Sequence, residues 1–371
     1  MTVLDDTLLA DPRALAALDT GGVLRSAATA GAQVRSAAQA AEEAGVPQLA
    51  GTRPRALVLL RRPGASATAA GILAALLGPT SAVPVVVTDS VPSWIGPLDV
   101  VVAHTAEATD SDLADSVVRA VRRGAEVVLS APGEGPVASA GAGRARLVEP
   151  RIPVPPGLDL PRALAVGLSA LGALDLITGP SDGSPLDPGL EVLADALDAE
   201  AERNQPSHEP FMNPAKSLAL RLADHTPLLW GTDRLAAAVA RHGAVALATH
   251  AGVVAFPGEV AEAATATALV RALDRGAAGA DIFRDPFADP DGGPEAPPVR
   301  LVLLATGEDD PGQVTLRRTG RGWPSADVQH PVDEVARGVR HAALLRAALL
   351  ASRLDVASVY LGLATRTIEP A

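Results

Sequence analysis

The chain has 371 residues, a length that favours two cores over one. Its formal net charge of −12 repels nucleic acid and anionic membrane, and the absence of cysteine excludes disulfides, thiolate catalysis and cysteine-held metal. Aromatics are only 2% of the chain, so the interior has to be built from Ala, Val and Leu. Lys216 is the sole lysine, so chemistry that needs one has a single candidate. The acidic, polar-interrupted N-terminus lacks the pattern of a signal peptide, and no unbroken apolar run reaches the roughly 18 residues of a membrane span. The expectation is a cytoplasmic protein with no nucleic-acid and no membrane partner.

Residues 12–45 read as helices. Asp11 can cap, Pro12 suits a first helical position, Gly21-Gly22 interrupts, and a second helix covers residues 27–44. The period then changes. Residues 56–60 are a short continuous apolar run, as in a strand buried on both faces. An alanine-rich helix follows to Leu77. Further strands fall at residues 84–87, 99–103, 126–129 and 145–148, with a helix at 112–123 stopped by Gly124. Residues 161–177 form a long apolar helix. Strands alternating with helices argue for a parallel sheet covered on both faces.

A Gly/Pro-rich stretch at residues 179–188 reads as a linker, and residues 189–203 as a bridging helix. The pattern restarts with a helix at 215–223, a strand at 227–230 and a helix capped by Thr232 or Asp233 to about Arg241. Residues 245–256 are ambiguous by period, and 258–275 read as helical. Residues 285–298 are rich in Asp, Pro and Gly and read as mobile. Residues 299–304 are a strand, and 332–364 carry one or two terminal helices. The fold class is therefore α/β, with two doubly wound domains. Residues 1–50 are leading helices, 51–180 a first domain, 181–212 linker and bridging helix, and 213–371 a second domain.

In open α/β sheets ligands sit beyond the carboxyl ends of the strands. The first such loop carries Gly64, which lets a backbone approach an anion, and Ser66, which can cap the helix or donate to a phosphate. The same residues also make an ordinary strand-to-helix turn. The second runs from His104 to Asp112. Thr105 and Thr109 suit an anion at a helix start, whereas Glu107, Asp110 and Asp112 satisfy the helix dipole themselves and repel one. Arg162 can hold a phosphate or carboxylate bidentately, or make a surface ion pair. His250 and His341 are either buried and satisfied or catalytic bases. The seven histidines show no metal-site spacing, and no nucleophile elbow is present, so neither metal nor cofactor is expected.

The order of these segments resembles the bifunctional phosphoglucose/phosphomannose isomerases, proteins of two sugar-isomerase (SIS) domains. Residues 11–38 resemble that family's leading helices, 53–78 its first strand and Gly-Gly-Ser loop, and 98–129 the strand carrying its Ser-x-Ser-Gly-x-Thr phosphate loop. Residues 154–174 are similar to its Pro-Arg segment, 213–231 to the opening of its second SIS domain, and 355–364 to its closing helix. The motifs depart from the pattern. The phosphate loop reads His104-Thr105-Ala106-Glu107-Ala108-Thr109, of which Thr109 agrees. Gly64 and Ser66 remain of the Gly-Gly-Ser loop. The Asn-Glu-Asn segment with its proton-shuttling glutamate reads Leu247 to Ala251 without a carboxylate. Glu259 matches a glutamate downstream, where the family's ring-opening histidine is missing. Arg162 matches the arginine.

The resemblance implies two SIS-type domains, a sugar-phosphate ligand such as a glucose, mannose or fructose 6-phosphate, aldose–ketose isomerisation, and a homodimer. Enediol chemistry needs a base and an oxyanion stabiliser. Arg162 is the candidate stabiliser, and His250 or Glu259 the candidate catalytic group. Gly64, Ser66, Thr105, Thr109 and Arg162 are the expected substrate contacts. The alternative is a non-catalytic SIS-fold protein that binds a sugar phosphate or regulates a partner enzyme.

Overall fold

Asp5 and Asp11 each start a helix. Their carboxylates accept from first-turn N–H groups of α1 (Asp6–Ala10) and α2 (Pro12–Leu18). The structure, a computed structural model, describes residues 4–79, 81–177, 189–277 and 297–368. It divides into a unit of Gly22–Glu202 and a unit of Arg203–Ala371 together with Met1–Gly21.

The N-terminal unit opens with α3 (Val23–Ala27) and α4 (Ala30–Glu43). There follow β1 (Ala56–Leu60), α5 (Ala65–Leu77), β2 (Val85–Thr88), β3 (Asp99–His104) and α6 (Ser111–Arg122). Next come β4 (Glu126–Ser130), α7 (Pro136–Gly141), β5 (Arg146–Val148), α8 (Leu160–Ala173) and α9 (Leu190–Arg203). All pairings are parallel, in the order β2-β1-β3-β4-β5, with Leu57 opposite both Val85 and Val100. Every residue of β1 and β3 is buried, as an unbroken apolar run covered on both faces requires. The helices carry their Ala, Leu and Val onto this sheet, and Val58, Val101, Val117 and Val127 share one core.

The C-terminal unit runs α10 (Pro214–Leu222), β6 (Thr226–Gly231), α11 (Arg234–Ala251), β7 (Phe256–Glu259), α12 (Val260–Ala263) and α13 (Thr267–Ala277). It continues with β8 (Val299–Leu304), α14 (Pro311–Thr319), β9 (Asp327–Gln329) and α15 (Ala342–Ala364). Its sheet is again wholly parallel, in the order β7-β6-β8-β9. Trp230 of β6 meets Trp323 edge-on, with ring centroids 5.3 Å apart, and Leu228, Leu301 and Leu303 pack around Trp230. Helix α15 is long and apolar enough to cross a membrane, yet 94% of its most apolar window is buried in protein. It lies in the core against α11, where Asp355 Oδ1 is 2.8 Å from His242 Nε2.

Several sequence expectations change. Residues 256–259 are a strand, although 258–275 read as helical. Gly252 (φ 63°) ends α11 in the left-handed region, and the backbone beyond it, with Pro257 and Gly258, pairs with the free edge of β6. Helices α7 and α14 and the short β9 are additions, and residues 332–341 are turns, leaving one terminal helix. The expected linker at 179–188 lies outside the described residues, as does most of the 285–298 segment.

Two close approaches fix the C-terminal unit. A Cβ on Gly231 would lie 2.2 Å from the backbone N of Ala237, and one on Gly362 would lie 2.0 Å from the His250 carbonyl oxygen. Only glycine lets β6 run straight into α11, and only glycine lets α15 lie on the end of α11. Gly231→Ala is therefore expected to cost about 1–3 kcal/mol or more, since backbone and not a flexible side chain must move. Urea unfolding of the variant beside the parent measures it, and unchanged stability would contradict the close packing.

Candidate functional site

Each sheet has one point where strand order reverses: between β1 and β3 in the N-terminal unit, and between β6 and β8 in the C-terminal unit. Beyond the carboxyl ends of those strands the helices diverge and leave a crevice. The two crevices have the same topology and different chemistry.

In the N-terminal unit the crevice is occupied by its own side chains. Gly64, at φ 80°, turns the chain into α5. The Ser66 hydroxyl is used within that turn, accepting from Arg62 N at 3.1 Å and donating to the Leu60 carbonyl at 3.3 Å. Thr105 Oγ1 accepts from Glu107 N. The Glu107 carboxylate accepts from both the hydroxyl and the N–H of Thr109, at 2.5 and 3.1 Å, which holds it below the usual carboxylate range. A carboxylate thus takes the donors that a bound anion would need. Asp110 caps α6 and binds Arg62 through both oxygens, at 2.7 and 2.8 Å. That pair is locked, with side chains only 14% and 8% exposed.

Beneath the loop lies a buried polar chain. His104 Nε2 is 2.6 Å from Asp159 Oδ2, and His104 Nδ1 is 2.9 Å from Ser130 Oγ. A carboxylate only accepts, so Nε2 donates to it, while Nδ1 and the Ser130 hydroxyl share the second bond. Arg162 Nη2 reaches the same Asp159 oxygen at 3.3 Å, while its buried Nε has no hydrogen-bond partner among the described residues. Burial works to raise the Asp159 carboxyl, but the His104 hydrogen bond and the charges of His104 and Arg162 outweigh it and hold it low. Burial also lowers the Arg162 guanidinium, with Asp159 opposing. The Ser-His-Asp order is that of a nucleophile relay, but Ser130 is fully buried. The cavity beside it, lined by Ser66, His104 and Ser130, has about 20 Å³, room for one water. This cluster braces β3, β4 and α8.

The crevice of the C-terminal unit is open. A cavity of about 210 Å³ is lined by Thr232 and Asp233 after β6, Gly307, Glu308 and Asp309 after β8, and Val314, Arg317 and Arg318 of α14. That is far above the roughly 10–15 Å³ that holds a single water. Asp233 caps α11, an 18-residue helix, so the positive end of its dipole faces this space. Arg317 bonds Asp309 at 2.6 Å, and the two side chains are 61% and 65% exposed. Arg318 pairs with Glu259, at the carboxyl end of β7. Arg346, a fully buried residue of α15, donates to the carbonyls of Thr306, Gly307, Val335 and Ala336 and to Glu308 Oε1 at 2.9 Å.

The structure therefore gathers Gly64, Ser66, Thr105 and Thr109 around the first crevice, with the three hydroxyls already engaged. Arg162 is a buried ion-pair member there and not a surface one. Glu259 reaches the rim of the second crevice through Arg318. His250 sits at the far end of α11, about 26 Å along the axis from Asp233 at 1.5 Å per residue. It is buried near His242 and Asp355, and burial lowers its pKa, with Asp355 opposing. Lys216 is structural: its ammonium donates to the Pro206 and His208 carbonyls at 2.7 and 2.8 Å and faces the Tyr360 ring. No group of three or more His, Asp or Glu suited to a metal occurs among the described residues. Sequence reasoning missed Ser130, Asp159, Glu308, Arg317, Arg318 and Arg346. The Asp310-Pro311 helix start was the one legible signal, since it would have put Arg317 and Arg318 on a helix following a strand.

Fold and sites define a protein of two parallel-sheet units, each with a crevice at its switch point. Residues 211–371 match the family model of the bacterial phospho-glucose isomerase C-terminal SIS domain. No curated protein matches the sequence closely enough to serve as a relative. Among solved structures, the chain is similar to a Silicibacter pomeroyi protein that carries the name phosphosugar isomerase (16% identity, 94% of this chain and 99% of that one, TM-score 0.59). It is also similar to the C-terminal domain of the Francisella tularensis glucosamine-fructose-6-phosphate aminotransferase (9% identity, 93% and 96% covered, TM-score 0.59). A third likeness is to the Escherichia coli tagatose-6-phosphate ketose/aldose isomerase (12% identity, 92% and 90% covered, TM-score 0.53). At these identities the likeness establishes the fold: the chain has the α/β, SIS-like architecture of phosphosugar isomerases.

Asp159 carries a testable pH dependence. Its pKa is lower folded than unfolded, so its contribution to stability is complete above the ordinary value of 3.8 and is lost as pH falls through the depressed folded value. Asp159→Asn leaves Arg162 buried without its carboxylate and is expected to cost about 3–5 kcal/mol at pH 7. The loss should shrink below pH 3.8, and chemical unfolding of both proteins across pH 2–7 measures it. A loss independent of pH would contradict the charge-pair account.

Proposed function

We propose that this protein binds a sugar phosphate in the crevice of its C-terminal unit. The observation that carries the reading is an exchangeable arginine beside a cavity. Arg317 is bonded to Asp309 in a solvent-exposed pair, and exposed pairs contribute only about 0–1 kcal/mol. A phosphate dianion can take that guanidinium with little loss. The first crevice lacks this property, because Arg62 is bound to a nearly buried Asp110. The choice of ligand class is supported by the family-model match over residues 211–371 and by the SIS-like fold.

A second reading, aldose–ketose isomerisation of that sugar phosphate, is favoured by one further observation: Glu308, an acidic residue with a half-exposed side chain, lines the cavity. The absence of cysteine suits work in a reducing cytoplasm.

Calorimetry and thermal shift with glucose, mannose and fructose 6-phosphates test the binding. A ligand at about 100–1,000 times its dissociation constant should stabilise the protein by roughly 3–4 kcal/mol. Arg317→Ala with Arg318→Ala should weaken binding about tenfold or more. Arg62→Ala should leave the affinity unchanged. No binding of any of the three, or equal loss in the Arg62 variant, would overturn the site.

A further inference from the structure

The geometry points to Arg337 and Arg340 as a second anion contact of the C-terminal crevice, and hence to a sugar carrying two phosphates as its ligand. This deepens the sugar-phosphate reading of that crevice and rests on it. The two arginines flank a turn made at Gly338 (φ 73°), in the segment between β9 and α15. Residues 336–340 are all exposed. Neither guanidinium has a hydrogen-bond or ion-pair partner among the described residues. The guanidiniums of the cavity are in contrast already taken: Arg317 by Asp309, Arg318 by Glu259, and Arg346 behind them by Glu308. An anion that meets Arg337 and Arg340 therefore displaces no internal carboxylate.

The turn is tied to the crevice through Arg346. That guanidinium donates to the Gly307 carbonyl at 2.9 Å and to the Ala336 carbonyl at 3.2 Å. One planar fork thus holds the two carbonyls within about 8 Å of each other, and Gly307 lines the cavity. His330 adds a second tie, its Nε2 lying 2.9 Å from the same Gly307 carbonyl. Arg337 follows Ala336 directly, so the turn starts beside the cavity, within reach of a ligand that projects from it. The direction of approach decides the ligand class. From the switch point β6 leads to β7 on one side, and β8 leads to β9 on the other. Right-handed crossovers then place α11 and α14 on opposite faces of the sheet. Arg317 and Arg318 belong to α14, whereas the turn leads into α15, which packs on α11. The two arginine pairs meet the crevice from opposite sides, which suits an anionic group at each end of one sugar better than a single phosphate. Two guanidiniums also match the two charges of a phosphate, where a carboxylate has only one.

Calorimetric titration with fructose 6-phosphate and fructose 1,6-bisphosphate tests this, because the two probes differ by one phosphate. At about 0.15 M salt, where long-range attraction is screened, the parent should bind the bisphosphate about tenfold tighter or more. Arg337→Ala with Arg340→Ala should bring the two affinities within about threefold of each other. Arg317→Ala with Arg318→Ala should weaken the binding of both probes, and equal melting temperatures show that the variants fold. No preference for the bisphosphate in the parent, or a preference undiminished once Arg337 and Arg340 are replaced, overturns the second contact and leaves the sugar-phosphate reading standing. Binding of neither probe by the parent overturns the reading beneath it.

Discussion

A guanidinium buried at the end of a parallel sheet must find a counter-charge, and in the N-terminal unit Asp159 is that charge for Arg162. The pair is packed between α8 and the strand ends, and its remaining lone pairs recruit His104, which in turn recruits Ser130. Removing any one member strands another, so these residues behave as a unit. The chain closes over them with Glu107 and Asp110, which consume the hydroxyl, backbone and arginine donors of the loop. The place where a doubly wound sheet offers an anion site is thereby satisfied from within.

The C-terminal unit meets the same constraint by another route. The buried cation behind its crevice is Arg346, on α15, and most of its donors go to backbone carbonyls; Glu308 is the one carboxylate it holds among the described residues. Carbonyls cannot neutralise a charge, but four of them spread it over two loops and shape the cavity wall. Because the counter-charge stands at the surface, the site keeps an exposed carboxylate and an open volume. One unit thus turns its switch point into a brace, and the other keeps it as a crevice.

How much of this was readable follows from the same physics. The strands at residues 56–60, 99–103, 126–129 and 299–304 were legible because a strand covered on both faces is a short, largely apolar run rich in Val and Leu. β7 was not, because Phe256, Pro257, Gly258 and Glu259 have neither an apolar run nor an alternation; the edge of β6 makes them a strand. β9 has three residues and the same difficulty. Among the expected contacts, Ser66, Thr105 and Thr109 were chosen by type, but type does not reveal that Leu60, Arg62 and Glu107 already hold their hydroxyls. Arg317 and Arg318 were overlooked because basic residues in the last turn of a helix also have a plain role in complementing its dipole.

Charge therefore has to be weighed by exposure before it is read as affinity. Arg62 and Arg317 both face a carboxylate at hydrogen-bond distance beside a switch point, and in sequence both are one of an arginine pair. The difference is the surroundings of the partner. Asp110, 8% exposed, would regain little hydration if a ligand took its arginine, so exchange leaves a buried carboxylate uncompensated. Asp309, 65% exposed, returns to water when displaced. A phosphate competing for Arg62 has to overcome that penalty as well as its own desolvation, whereas at Arg317 only the second cost remains. The crevice that looks less like a phosphate loop is for that reason the one proposed to hold the phosphate.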